Sequence, residues 1–286
     1  MKLGAQLYTV RDLCQNEKDF AATLQTIAEI GYHSVQISGV NLAAVPPQTV
    51  RRICDDLGLE IVVSHTAPER LLGSIEEVIA DHQVFGARYV GLGMMPKRYI
   101  GMEDGPSHDA VWVATRVDTQ RFLNDFNPVI DRLAEAGLKF VYHNHHFEFL
   151  RQDGVSIFDQ LLAGFDPANV DILLDTFWIQ FGGGDVVAWI DKLTGRLPVV
   201  HFKDLAIVNS LELDPAKNEH MQTGSVLGCR QIMAPIGQGN LNFPGILAAC
   251  KRAGTQHILV EQDICQIPPL DALRESYNYL KSIGLS

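Results

Sequence analysis

The stretch GLKFVYHNHHFEF, Gly137 to Phe149, passes within a few residues from an apolar strand to a run of imidazoles, an amide and a carboxylate. Lys139 to Tyr142 reads as a short buried strand entered from a glycine. Side chains alternate along a strand, so His143 and His145 point one way, and Asn144 and His146 the other. An apolar strand body that ends in polar groups is what one strand of a parallel barrel presents at its carboxyl end.

The pattern recurs along the chain. Further strands are expected near Leu3 (LGAQLY), Val35 (HSVQIS), Val62 (LEIVVSH), Val90 (RYVGLG), Leu173 (DILLD), Val199 (LPVVHF) and Leu259 (HILVEQ). Between them lie amphipathic segments at helical spacing, such as FAATLQTIAEIG, PQTVRRICDDLG and FPGILAACKRAG. Most close on a glycine that can take the left-handed terminal conformation. Strands alternating with helices in this way predict parallel βαβ units. No GxGxxG follows the first strand, which favours an α/β fold of the (β/α)8 TIM-barrel type over a doubly wound sheet. One domain is expected over residues 1–286. Two segments, near residues 94–117 and 206–238, break the repeat after strand carboxyl ends and are expected as long loops over the barrel mouth.

The chain is 47% hydrophobic and 20% charged, an ordinary globular composition. Its net charge of -11 disfavours binding to nucleic acid or to anionic membranes. No apolar run could cross a bilayer, and MKLGAQLYTVRD lacks the apolar core of a secretion signal, so a cytoplasmic protein is expected. The cysteines Cys14, Cys54, Cys229, Cys250 and Cys265 are scattered with no CxxC pair. Neither a disulfide framework nor a thiolate zinc site is indicated.

In a barrel the residues at strand carboxyl ends converge on one pocket. Here they are Gln6, Tyr8, Gln36, His65, His143 to His145, Asp175, His201, Lys203, Asp204, and Glu261 to Asp263. Each has a plain alternative: a hydrogen-bonded histidine, Asp175 capping the next helix, Asp204 capping a turn, Trp178 packing against the barrel. As a set, imidazole nitrogens and carboxylate oxygens make a mixed site for a divalent cation such as Mn²⁺, Co²⁺, Zn²⁺ or Mg²⁺. Without a cation, two buried carboxylates would form an acid/base pair instead. His143 is nearer the strand body than His145 and is the better ligand of the two, with His145 towards substrate. Glu148 could reach over the mouth.

GAQLYTVRD, GLKFVYHNHHFEF, LLDTFWIQFGGGD, VVHFKD, GQGNLNF and LVEQD, in that order, resemble the xylose isomerase-like barrel superfamily, in its group of sugar phosphate isomerases and epimerases. The resemblance covers nearly the whole length. It implies a divalent metal held from strands five to eight, and carries to Asp175, His201 and Glu261. Where the family has a strand-five glutamate, this chain has His143. Sugar epimerases of the group use the glutamates of strands five and eight as opposed proton carriers. The partner of Glu261 would therefore be His145, Glu148 or Lys203. Barrels with a YH-x-H strand five include inosose dehydratase-like enzymes.

The resemblance thus implies an enzyme with a small-molecule sugar or keto-sugar substrate. A metal-dependent isomerase or epimerase of a ketose, working by proton abstraction next to a carbonyl through a metal-stabilised enediolate, is expected first. A lyase or dehydratase acting on an inosose or 3-keto-glycoside is the alternative. Gln6, His65, Glu148, Trp178 and Lys203 are the expected substrate contacts. A DNA-repair endonuclease or a non-enzymatic sugar binder on the same barrel is the remaining class, and the acidic charge weighs against the endonuclease. A homo-oligomer stays open, because the long loops could cover a partner's mouth.

Overall fold

The computed structural model describes residues 1–101, 116–213 and 228–285. Eight strands, β1 (Lys2–Gln6), β2 (Ser34–Ile37), β3 (Glu60–Thr66), β4 (Tyr89–Leu92), β5 (Lys139–His143), β6 (Val170–Asp175), β7 (Val199–Phe202) and β8 (His257–Val260), close into a parallel barrel. Each pairs with its sequence neighbour, and β8 closes on β1 with Leu3 opposite Ile258. The strands are short and continuously apolar because helices cover one face and the barrel interior the other; β6 is buried at every position.

Alternation explains where the polar groups go. Val63, Val141, Leu173, Val199 and Leu259 pack together as an apolar layer. Two residues further along the same strands, on the same face, stand His65, His143, Asp175, His201 and Glu261. The polar layer therefore rests on an apolar floor. Gly4 of β1 belongs to this tight interior: a Cβ there would lie 2.6 Å from Leu259 Cδ2 and 2.3 Å from Ser34 Oγ.

The helix Glu17–Ile30 shows how the outer layer forms. Asn16 caps its start by accepting from the Asp19 amide, and Gly31 ends it at φ 114°. Phe20, Leu24, Ile27 and Ile30 recur on one face and are buried against the barrel. Burying side chains of this kind contributes roughly 1.5–3 kcal/mol each.

The segment near 206–238 is not the loop expected of it. Asp204–Asn209 pairs antiparallel with Cys229–Ala234, and Ala206, Ile232 and Ala234 form a small apolar cluster of their own. These strands lie far apart in sequence, so no short-hairpin signal marks them. Of the segment near 94–117, Met94 to Gly101 includes a short turn of helix at Lys97–Tyr99. Residues 102–115 and 214–227 lie outside the described part, so the expected loops are only partly seen. Asp204 does anchor a turn: its carboxylate accepts from the amides of Leu205, Gly237, Gly239 and Leu241, folding GQGNLNF beneath the β7 end.

Behind β3, His82 of the helix Ile75–Phe85 donates from Nδ1 to the Val78 carbonyl (2.7 Å) and accepts at Nε2 from Ser64 Oγ (2.7 Å). Burial lowers the pKa of this imidazole, with the Val78 bond opposing. Because the folded pKa lies below the unfolded one, the stability it contributes is complete above about pH 6.5 and is lost as pH falls through that value. H82Q is expected to flatten the decline in urea-unfolding free energy as pH falls below about 6.5. Identical pH slopes for the two proteins would show that His82 is protonated as readily in the fold as outside it.

Candidate active site

His143, Asp175, His201 and Glu261 end four consecutive strands, and one ligand atom from each lies within 4.8 Å of the others. All four are buried. Their orientation follows from partners that the ring or carboxylate cannot exchange. His201 Nε2 donates to Gln36 Oε1 at 2.6 Å, which leaves Nδ1 as a bare lone pair facing the cluster. Nδ1 lies 3.0 Å from Glu261 Oε2, out of hydrogen-bond alignment, and has no partner. His143 Nδ1 donates to the Leu173 carbonyl at 3.2 Å, so Nε2 is its available nitrogen. Asp175 spends Oδ1 on the Trp178 amide, capping the helix Thr176–Phe181, while its Oδ2 is buried without a hydrogen-bond partner. Glu261 Oε1 accepts from Gln6 Nε2 at 3.1 Å.

Orphaned buried acceptors of this kind fit a divalent cation, because two neutral imidazoles and two carboxylates are a common N/O donor set and each imidazole has its second nitrogen committed. Those four residues would hold it.

Lys203, nearly without exposed surface, inserts its ammonium among the acids, 2.8 Å from Asp263 Oδ2, 3.3 Å from Glu261 Oε2 and 3.5 Å from Asp175 Oδ2. Burial works against the charge on Lys203, yet Asp263, Glu261 and Asp175 outweigh it and push its pKa up. Burial raises Asp175, with Lys203 opposing. Glu261 goes the other way: burial would raise it, but the Lys203 ammonium holds it well below the usual carboxylate range. Glu261 is thus the more acidic carboxylate of the pair.

A pocket of about 1010 Å³ opens on the cluster, lined by His65, His143, His145, Lys203, Glu261 and Asp263, with Tyr8 and the segment Met94–Arg98 among its walls. His65 faces it, its ring centroid 5.0 Å from that of His143 and 5.5 Å from that of His201. Burial drives the His65 pKa down to about 3, which keeps the ring neutral. His145 sits above His143 with centroids 4.9 Å apart and a buried, unpartnered Nδ1; burial and then Lys203 lower its pKa well below the ordinary value.

Three residues expected at the substrate stand elsewhere. Glu148 is fully buried and turns back from the mouth, accepting from Tyr142 Oη (2.7 Å) and from the His145 amide (2.9 Å). Burial raises its pKa to about 7, and the bonds from Tyr142 and the His145 amide oppose. Its work is to fasten the turn that presents His145. Gln6 is likewise buried and holds Glu261, with its carbonyl taken by the Tyr8 amide. Trp178 packs against His145 and His146 at 5.1 and 5.2 Å and under the Lys203 ammonium at 5.1 Å, away from the pocket wall. Gln36 and Asp263 were visible as polar strand ends, but nothing in sequence paired them with His201 and Lys203.

Comparison with known proteins adds the following. A family model described as a xylose isomerase-like TIM barrel matches residues 24–283. Among curated proteins, the inosose dehydratase of Lacticaseibacillus casei is 24% identical over 275 residues, covering 92% of this chain and 89% of that protein. The inosose dehydratase of Geobacillus thermodenitrificans (strain NG80-2) is 26% identical over 199 residues, covering 68% of this chain and 65% of that protein. Among solved structures, a sugar phosphate isomerase/epimerase from Parabacteroides distasonis ATCC 8503 superposes with a TM-score of 0.74 at 22% identity, over 98% of this chain and 93% of that one. No helix among the described residues is long and apolar enough to cross a membrane.

Proposed function

The chain belongs to the xylose isomerase-like TIM barrel family, and we propose that it is a divalent-cation-dependent lyase that removes water from a keto-sugar or keto-cyclitol after taking the proton next to the carbonyl. The observation that carries this reading is the pairing of one charged carboxylate with one buried ammonium: Glu261 Oε2 and Lys203 Nζ stand 3.3 Å apart on one wall of the pocket. Glu261, kept ionised by Lys203, takes the carbon-bound proton. The electron pair left behind forms the carbon–carbon double bond, and the β-hydroxyl departs as water with the proton that Glu261 took, which returns the base to its starting state. Lys203, kept charged by three acids, donates N–H bonds to the oxygen on which negative charge develops. A divalent cation held by His143, Asp175, His201 and Glu261 would supply Lewis-acid polarisation of the carbonyl.

Elimination needs a base and a donor that can act on one face, whereas epimerisation needs proton carriers on two. The strand-five position that would complete an opposed carboxylate pair is His143, whose Nδ1 is already committed to the Leu173 carbonyl. The full-length similarity to inosose dehydratases supports the same choice. Epimerisation or isomerisation is the second reading, and His145 favours it: a neutral imidazole with a free Nδ1 on the pocket wall could serve the other face.

Proton NMR in D₂O with Mn²⁺ and a panel of inososes and ketoses separates the two. Loss of water from an inosose, with an olefinic product, is the expected result. A new diastereomer or an aldose–ketose pair without water loss would replace it by the second reading, and inertness towards every carbonyl sugar would reject both.

A further inference from the structure

Lys203 poses an electrostatic problem for the site it enters. Its ammonium lies within 3.5 Å of Asp175 Oδ2 and Glu261 Oε2, two of the four groups that would hold a divalent cation. A fixed positive charge at that range repels a second cation and offers the two carboxylates an internal ion pair in its place. Between the carboxylates and the ammonium alone, the positive charge of Lys203 offsets one of the two negative charges that would meet a doubly charged ion.

Asp263 changes that balance. Its Oδ2 makes the shortest of the three contacts to Lys203, at 2.8 Å, and its charge brings the pocket back to two negatives. Its backbone is held in place from outside the cluster. The Asp263 carbonyl accepts from Arg11 Nη1 at 3.0 Å, and the same nitrogen bonds the Tyr8 carbonyl at 2.9 Å. On the opposite side the ammonium meets the ring faces of Trp178 and Phe177, at 5.1 and 6.0 Å. Among the described residues, Asp263 is the one carboxylate ion-paired with Lys203 that does not belong to the four-residue cluster.

We propose that Asp263 is a positioning residue for cation binding: it draws the Lys203 ammonium to itself and so frees Asp175 and Glu261 to take a divalent ion. The proposal rests on the cation-dependent reading of the site. It makes the affinity for the ion depend on Asp263 only while Lys203 is charged, which a merely structural role would not do.

Isothermal titration calorimetry with MnCl₂ on the wild type, D263N, K203M and the double variant tests this, with circular dichroism to verify the fold of each. D263N is expected to weaken Mn²⁺ binding at least tenfold, whereas the same change in the K203M background costs threefold or less. Equal losses in both backgrounds would mean that Asp263 acts through its own charge alone, and the proposal falls while the cation site stands. A wild type that takes up no Mn²⁺ removes the cation-dependent reading itself. Should D263N not fold, K203M against the wild type decides: tighter Mn²⁺ binding is expected, and binding ten times weaker would show that Lys203 builds the site rather than competes for it.

Discussion

E261Q is expected to slow the exchange of the substrate's carbon-bound hydrogen with solvent deuterium by about 10²–10⁴-fold, the range that a positioned general base contributes. Glutamine matches glutamate in shape, so the loss reports charge and basicity rather than packing. Oε1 of Glu261 accepts from Gln6, and an amide oxygen can keep that bond. At Oε2 the amide nitrogen would stand 3.0 Å from His201 Nδ1 and 3.3 Å from Lys203 Nζ, with no change of volume. The fold should therefore survive, with a melting temperature within a few degrees of the wild type. The Lys203 ammonium would lose one of its three acids while Asp263 and Asp175 remain. Exchange followed by NMR on an inosose, with Mn²⁺ content measured on the same samples, separates loss of the base from loss of the ion. Exchange that continues at the wild-type rate would transfer the base role to His145, which shares the pocket wall.

The barrel and its polar ring were legible in the sequence for one reason: a strand buried on both faces shows its apolar body and its polar end without reference to any partner. Val141 and His143, or Val199 and His201, display the floor and the site within three residues of each other. What could not be read is which polar end leans on which. Gln36 meets His201 from the strand across the barrel, and Gln6 meets Glu261 across the closing seam. Both contacts depend on register between distant strands. Glu148 misled for a related reason. A charged residue beyond a strand end is normally solvated, but here Tyr142, on the outward face of the same strand, supplies a buried donor that draws it inward. The antiparallel pair Asp204–Asn209 and Cys229–Ala234 was hidden because a long stretch, residues 210–228, joins its strands in place of the short loop that marks a hairpin in sequence.

Removing the cation is expected to have the largest effect of all: treatment with a chelator should abolish turnover, by at least about 10³-fold, and Mn²⁺ or Co²⁺ should restore it. The size follows from the several kcal/mol of charge stabilisation that a bound divalent ion supplies to a developing oxyanion. The donor set makes the ion specific to this place. His201 is fixed through Gln36 and His143 through the Leu173 carbonyl, so neither ring can turn to satisfy its free nitrogen elsewhere. Binding should also be visible without any substrate. An ion that binds only the folded chain raises unfolding stability by about 2.7 kcal/mol at a hundredfold excess over its dissociation constant. H201A, which deletes a buried ligand and leaves Gln36 Oε1 unsatisfied, should lose that stabilisation along with activity. The thermal shift with Mn²⁺ and the chelator-treated rate are independent readouts of the same four residues. A chelated protein that turns over at full rate, with no Mn²⁺-dependent shift in melting temperature, would leave Glu261, Lys203 and His145 to perform the chemistry as an acid/base set alone.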